Sequence, residues 1–355
     1  MIGAGAAKMV ILAIETSCDE TSAAVLSAGN GGGTGLAARE AAPPEILSNI
    51  VLSQDEIHAP YGGVVPELAS RQHIKSIEAI VREALSRAGV ELGAVDLFAV
   101  TQGPGLIGSL LVGLMFAKSL AYFGRKPVVG VDHLEAHLEA VFLENRGIPY
   151  PLLGLLVSGG HTSLYLMEGP LQNRLLGRTR DDAAGEALDK VAKFLGLGYP
   201  GGPVVERLGR GGDPAAFPFA LPRTKDRSLD FSFSGLKTAA LRHIRGQGLA
   251  KDSPRLADFL ASFEEAVVRA LLGNLAQAVE TGEPRGLILC GGVARNTRLR
   301  TRFEDYASSV GLPAYIPSPK LCTDNAAMVA AVALKKFRAG QVGPLDLDLD
   351  AYARR

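Results

Sequence analysis

Two of the chain's 6 histidines stand four residues apart, in His133-Leu134-Glu135-Ala136-His137. On a helix, side chains at i and i+4 lie one turn apart on the same face, so both imidazoles can reach one divalent cation. A carboxylate that could join them is Asp324, in Cys322-Thr323-Asp324-Asn325 ahead of an Ala-rich segment. Two imidazoles and one carboxylate leave coordination positions open for substrate oxygens. The spacing is not that of a zinc peptidase, whose HExxH pattern puts Glu directly after the first His. Glu135 comes two residues after His133, about 200° around a helix axis and away from the histidine face.

A second constellation is glycine. Gly103-Pro104-Gly105, Gly159-Gly160, Gly201-Gly202 and Gly291-Gly292 each let backbone N–H groups come close to a ligand. The turns at Gly105 and Gly292 are expected to open helices, whose N-termini favour phosphate. Four such turns suggest a nucleotide cleft, and the absence of GxxxxGK[ST] disfavours a P-loop enzyme. Asp189 and Glu206 are candidates for ribose hydroxyls or for plain surface roles, and Asn296 for an adenine or phosphate. Arg174, Arg178 and Arg180, then Arg223, Lys225 and Arg227, then Arg295, Arg298, Arg300 and Arg302 form three basic clusters. Each is either a phosphate-contacting face or ordinary solvated charge.

These residues must be positioned by elements that the patterning reveals. Met9 to Ile14 is an apolar run, followed by the polar turn Glu15 to Thr21 and a second run from Ala23 to Leu26. Leu152 to Val157, Ser158 to Thr162 and Ser163 to Met167 repeat that arrangement, and both read as hairpins. After each hairpin comes a strand, a Gly turn, a helix and a strand. The first set is Leu97–Val100, Gln102–Gly105, Leu106–Phe123 and Val128–Val131; the second is Gly286–Leu289, Cys290–Gly292, Ala294–Val310 and Ala314–Ile316. The ordered recurrence predicts a duplicated α/β architecture with ligand bound between the halves. Helices are also predicted over Pro66–Ala88, over roughly 25 residues marked by Leu256, Phe259, Leu260, Phe263 and Val267, and over Asn325–Phe337 with Asp324 as its cap. Asn30 to Gly35, Pro200 to Pro203 and Gly209 to Gly212 read as loops.

Composition bounds the rest. The chain has 355 residues with Lys+Arg 37 against Asp+Glu 37, hence no net charge, which argues against a histone-like nucleic-acid binder but not against a local basic face. Apolar residues at 47% and charged residues at 21% exclude a disordered chain. The length suggests two domains. Three scattered cysteines, Cys18, Cys290 and Cys322, form no CxxC pair and argue against a disulfide framework or thiolate zinc site. No secretory leader and no uninterrupted apolar span are read, so the cytoplasm is the expected location.

Together ILAIETSCDET, YGGVVPELASRQH, TQGPGLIGSLLVGLMFAKSLA, VDHLEAHLEA, LLVSGGHTSLY, DDAAGEALDKVAKFLGLGYPGGP, FSFSGLKTA, LCGGVARNTRLR and CTDNAAMVA resemble the bacterial branch of the universal tRNA threonylcarbamoyltransferase family, once described as O-sialoglycoprotein endopeptidases. The resemblance runs from about Met9 to Gly340. It implies an α/β, duplicated actin/sugar-kinase/Hsp70-like fold, with residues 9–131 plus 325–345 in one domain, 132–324 in the other, and tails at 1–8 and 346–355. It implies transfer of threonylcarbamoyl from threonylcarbamoyl-AMP to N6 of the adenosine 3′-adjacent to the anticodon, in tRNAs reading codons that begin with adenosine, with release of AMP. By the same resemblance His133, His137 and Asp324 hold one divalent metal ion, with Fe(II) favoured over Zn(II). Leu156, Val157, Ser158, Gly159, Gly160, Asp189, Gly202, Glu206 and Asn296 contact substrate, and the partners are tRNA, an inactive paralogous subunit and a small P-loop ATPase. Two local departures are a long Asn30–Ala42 segment and Ala136 where many members have Gly. A metal-dependent carbamoyltransferase acting on a small molecule or a maturation protein would share the same residues, and an inactive scaffold or a sugar kinase would share the fold. The basic clusters favour tRNA, and retention of His133, His137 and Asp324 opposes a scaffold.

Overall fold

Met9 to Ile14 is apolar at nearly every position, the pattern of a strand covered on both faces. It forms the centre of β1 (Lys8–Glu15), which pairs antiparallel with β2 (Glu20–Gly29) and, on its other side, parallel with β4 (Leu97–Gly103). β3 (Glu45–Ser53) pairs with β2, and β5 (Val128–Asp132) runs parallel to β4, giving the order β3-β2-β1-β4-β5. The computed structural model describes residues 8–29, 43–221 and 228–342. The Asn30–Ala42 segment, the cluster of Arg223, Lys225 and Arg227, and the 346–355 tail lie outside the described residues, whereas Lys8 already begins β1.

The second sheet contains β6 (Leu152–Val157), β7 (Thr162–Gly169), β8 (Gln172–Arg178), β9 (Leu287–Cys290) and β10 (Ala314–Tyr315), in the order β10-β9-β6-β7-β8. Its pairings are antiparallel from β6 to β7 and β7 to β8, and parallel from β6 to β9 and β9 to β10. Read from β8, this is the first sheet strand for strand, so the predicted duplication is present.

The described chain falls into two compact units, one from Met1–Ile57, Val64–Ile148 and Thr323–Arg355, the other from His58–Gly63 and Pro149–Cys322. The segment 132–148 belongs with the first unit rather than opening the second as the domain limits above would have it. Its helix His133–Glu139 leaves β5 without a linker and packs on the helix Ala326–Arg338. In the first unit Leu12, Ile14, Phe98, Val100 and Leu114 are core, with the helices Pro66–Ala88 and Ile107–Gly124 packed together over the sheet. The second core surrounds the long helix Leu256–Gly282, whose Phe259, Leu260, Phe263 and Val267 are buried as their spacing predicts.

Two sequence readings need correction. Pro200 to Pro203 is no loop: a helix spans Gly201–Gly209, started by Asp189, whose Oδ1 accepts from the N–H of Gly201 at 2.7 Å and of Gly202 at 3.3 Å. The helix expected over Ala294–Val310 is broken into a 3-10 turn, Gly292–Arg295, and a helix, Thr297–Ser309, because the Asn296 side chain caps the second at Leu299 N. Ile107–Gly124 is long and apolar enough to cross a membrane by length and composition alone, although a charge interrupts it. It carries Lys118, and its Leu110, Gly113, Leu114, Ala117 and Ala121 are buried.

The Gly103-Pro104-Gly105 turn is seated closely against the loop after β1. A Cβ at Gly105 would lie 2.5 Å from the Ser17 carbonyl oxygen, and the Leu106 N–H donates to that oxygen at 2.8 Å. Gly105→Ala is expected to destabilise the protein by about 1–3 kcal/mol, the range for forcing an extra methyl into close packing. Urea denaturation checks this, and an unchanged midpoint would mean that the turn can give way.

Candidate functional site

The site is assembled at one edge of the first sheet. Ile14 pairs with Val100, and Thr101 with Val131, so the adjacent parallel strands β1, β4 and β5 bring Glu15, Thr101 and Asp132 to one edge, with β4 running on to Gly103. The carboxyl ends of parallel strands are where open α/β sheets place ligands. Asp132 caps the next helix, its Oδ1 accepting from Leu134 N and Glu135 N, each at 3.0 Å. That cap fixes the helix start and points His133 and His137 from the same face; their rings meet edge to face with centroids 4.7 Å apart.

Asp324 reaches the pair from the chain's far end. Its Oδ1 lies 3.1 Å from His137 Nε2 and 3.6 Å from His133 Nε2. The sequence reading made Asp324 the cap of the following helix. In the structure Asn325 caps it, its Oδ1 accepting from Met328 N at 3.2 Å, and the Asp324 carboxylate turns to the histidines. One ligand atom from each of the three residues falls within 4.8 Å of the others. Ligands about 2.1 Å from a cation sit about 3.0–3.4 Å apart in octahedral or tetrahedral geometry; the 3.1 Å separation falls in that range, and the 3.6 Å one needs only a small side-chain shift for all three to share one ion. Oxygen and imidazole donors suit Fe(II) and Zn(II) alike.

The surroundings are crowded with carboxyl groups. Burial pushes the Glu20 carboxyl well up, with Asp324, Asp19 and Asp55 adding to it, and Asp19 is raised by burial and the same neighbours. A cation would relieve that crowding. Glu15 feels opposing effects: burial raises its pKa, but His133 and the Thr101 hydroxyl outweigh that and bring it below the usual carboxylate value. For His133, burial favours the neutral ring, but Asp324 and Glu15 prevail and its pKa is pushed up to about 9. Glu135 faces elsewhere, its carboxylate 3.5 Å from Lys336 Nζ, as the helix-face argument requires.

Glu15, Ser17, Asp19, Glu20 and Thr101 are site residues that sequence reasoning missed. The signal was a carboxylate closing an apolar strand, read only as part of a polar hairpin turn.

The other nominated residues lie in the second unit. β6 carries Leu156 and Val157 into the turn Ser158-Gly159-Gly160. The Ser158 N–H already donates to His161 O at 2.8 Å, whereas Gly159 and Gly160 are exposed. Gly291 at φ 90° is the packing glycine, where a Cβ would meet Val157 O at 2.4 Å. Asn296 and Glu206 are brought together: Asn296 Nδ2 donates to Glu206 Oε2 at 3.4 Å and to Glu264 Oε1 at 2.6 Å, while Thr297 N donates to Glu206 Oε1 at 3.1 Å. Asp189 holds the N–H groups of Gly201 and Gly202. Each of these polar side chains therefore shapes the edge structurally, whatever it contacts besides.

The arginine clusters are less available than they look in sequence. Arg298 pairs with Glu264 at 2.8 Å, Arg302 with Glu265 at 2.5 Å, and Arg300 donates to the Ala294 and Pro317 carbonyls. Arg174 pairs with Glu168 and Arg180 with Asp230.

Two sheets of matching topology, one carrying a two-histidine-one-carboxylate group at its strand ends, define an actin/sugar-kinase/Hsp70-like protein with a candidate metal centre. Solved structures agree on the fold: HypF of T. kodakarensis superposes with a TM-score of 0.59 at 15% identity, covering 96% of this chain and 49% of that one. Component A of the (R)-2-hydroxyglutaryl-CoA dehydratase of Acidaminococcus fermentans gives 0.52 at 15% identity, covering 93% and 99%. Residues 45–331 match the family model of tRNA N6-adenosine threonylcarbamoyltransferase. Relatives of that name are 48% identical over 351 residues in Syntrophobacter fumaroxidans (98% of this chain, 99% of the relative) and 50% identical over 340 residues in Geobacter sulfurreducens (96% and 95%). The chain belongs to this family of transferases.

A metal ion entering the site must displace the proton on His133. Its apparent affinity is therefore expected to rise about tenfold per pH unit below pH 9 and to level off above it. Zinc competition titrations at pH 6.5, 7.5 and 8.5 measure this, and a pH-independent constant would contradict it.

Proposed function

We propose that the chain transfers threonylcarbamoyl from threonylcarbamoyl-AMP to N6 of the adenosine 3′-adjacent to the anticodon, position 37, in tRNAs reading codons that begin with adenosine. The observation that carries the reading is the convergence of His133, His137 and Asp324 in a chain of this family. The exocyclic amine is a poor nucleophile, so positioning and carbonyl polarisation must supply the rate. N6 attacks the carbamoyl carbon. The C–N bond forms as the C–O bond to phosphate breaks, AMP leaves with the electron pair, and N6 loses one proton. A cation held by His133, His137 and Asp324, with Fe(II) favoured, supplies Lewis-acid polarisation when bound. Leu156, Val157, Ser158, Gly159, Gly160, Asp189, Gly202, Glu206 and Asn296 are assigned to the adenylate, with the exposed Gly159 and Gly160 N–H groups toward its phosphate. The cytoplasm is the proposed location.

The test is transfer of labelled threonylcarbamoyl from synthetic threonylcarbamoyl-AMP to unmodified tRNA, with and without partner subunits. Asp324→Ala and His133→Ala are expected to lose bound metal and transfer together, while Glu135→Gln keeps most activity because its carboxylate faces Lys336. Full metal occupancy in both ligand variants, or loss of activity in Glu135→Gln, would defeat the assignment.

The proposed partners are an inactive paralogous subunit and a small P-loop ATPase. Ile74, Leu111, Met115, Tyr122 and Phe123 are exposed on the helices Pro66–Ala88 and Ile107–Gly124, an apolar face that supports a docked protein. We assign it to the paralogue. Met115→Glu is expected to abolish co-elution with that subunit while metal content is retained, and undiminished co-elution would place the partner elsewhere.

A further inference from the structure

We propose that Glu15 is the positioning carboxylate of the metal centre, holding the His133 proton on Nδ1 so that the Nε2 lone pair faces the cation. The inference rests on the metal reading above and concerns a residue outside its ligand set. Glu15 is fully buried. Its Oε1 accepts from Ser17 N at 2.5 Å, and its Oε2 accepts from the Thr101 hydroxyl and lies 3.2 Å from His133 Nδ1. A carboxylate receiving an N–H and an O–H acts as an acceptor toward a third group, so Nδ1 is the donor there. In a neutral imidazole the other nitrogen then carries the lone pair. That nitrogen, Nε2, is the one 3.6 Å from Asp324 Oδ1.

The placement is built into the sheet. Glu15 ends β1 and Thr101 lies in β4, the strand between β1 and the β5 end from which His133 emerges. The loop after Glu15 is seated independently: Thr16 Oγ1 donates to Ser109 O at 2.9 Å, and Leu106 N donates to Ser17 O. Ser17 Oγ lies 3.3 Å from the same His133 nitrogen, so the seat offers a neutral contact beside the carboxylate. The second histidine has no such device, since His137 Nδ1 is buried without a hydrogen-bond partner among the described residues. Glu15 therefore acts on one imidazole of the two. Carboxylates behind ligand histidines orient the ring, fix its tautomer and raise its basicity, and their loss typically lowers metal affinity about 10–100-fold.

The experiment measures Zn(II) affinity by competition with a chromophoric chelator, alongside circular dichroism and long-range 1H–15N spectra of the zinc-loaded, 15N-histidine-labelled protein. In Glu15→Gln the amide NH2 can donate to Nδ1 and drive the ring proton to Nε2. Affinity is expected to fall about 10–100-fold with secondary structure retained. Thr101→Val, which removes one donor from Glu15, is expected to give a smaller loss in the same direction. The wild-type spectra should show the His133 proton on Nδ1 and zinc on Nε2. Wild-type zinc affinity in a folded Glu15→Gln protein, or a proton on Nε2 with zinc on Nδ1, overturns the proposal. If Glu15→Gln does not fold, the wild-type tautomer decides. His133→Ala separates the two readings: undiminished zinc binding there defeats the metal site itself, whereas loss there with none in Glu15→Gln defeats only the positioning role.

Discussion

Parallel pairing of β1, β4 and β5 is the constraint on which the candidate site depends. Because Ile14 stands opposite Val100 and Thr101 opposite Val131, three strands reach the same edge. Each carries a polar residue at or near its end, Glu15, Thr101 or Asp132, to that edge. A two-residue shift in either pairing would carry Glu15 or Asp132 about 7 Å along the sheet, given the rise per strand residue. The side-chain contacts to Thr101 and His133 could not survive that. Register is in turn held by burial, since these strands are covered on both faces and a slip would misplace the core residues Leu12, Ile14, Phe98 and Val100. The hydrophobic pattern thus sets the geometry of the polar edge.

How much of this can be read in sequence follows from the range of each interaction. His133 and His137 are legible because a helix converts spacing into a shared face by local rules. Pro66–Ala88 is likewise bounded by a first-turn Pro and a terminal Gly89 in the left-handed region, signals carried within a few residues. The duplicated topology shows because each half repeats its strands and Gly turns in order. Glu15 was invisible as a site residue, since its meaning comes from Thr101 and His133, 86 and 118 positions away. The arginines after Asn296 mislead for the same reason. Their partners Glu264 and Glu265 sit on a different helix, and spacing along the chain cannot show that a charge is already matched. Glycines are ambiguous locally: Gly105 and Gly291 pack against carbonyls while Gly159 and Gly160 stay open, and only tertiary contacts tell them apart.

The duplication gives the two units the same scaffold with opposite chemistry at the corresponding edge. In the first, β1 ends in Glu15, Asp19 lies in the hairpin turn that follows, and Glu20 opens β2. The strand ends there are crowded with carboxylates, a setting for a cation. In the second, β6, the counterpart of β1, ends in Ser158-Gly159-Gly160, and β9, the counterpart of β4, ends in Gly291-Gly292. Of these, Gly159 and Gly160 are exposed and carry no side chain over their backbone N–H groups, a setting for an anion. One topology therefore offers either charge preference at its strand ends, chosen by a handful of turn residues and leaving the sheet unchanged. A chain with 37 basic and 37 acidic residues needs no overall charge to bind either ion, because the relevant potentials are local. The first edge is built from side-chain carboxylates brought together by register. The second is built from peptide dipoles left open by the absence of side chains.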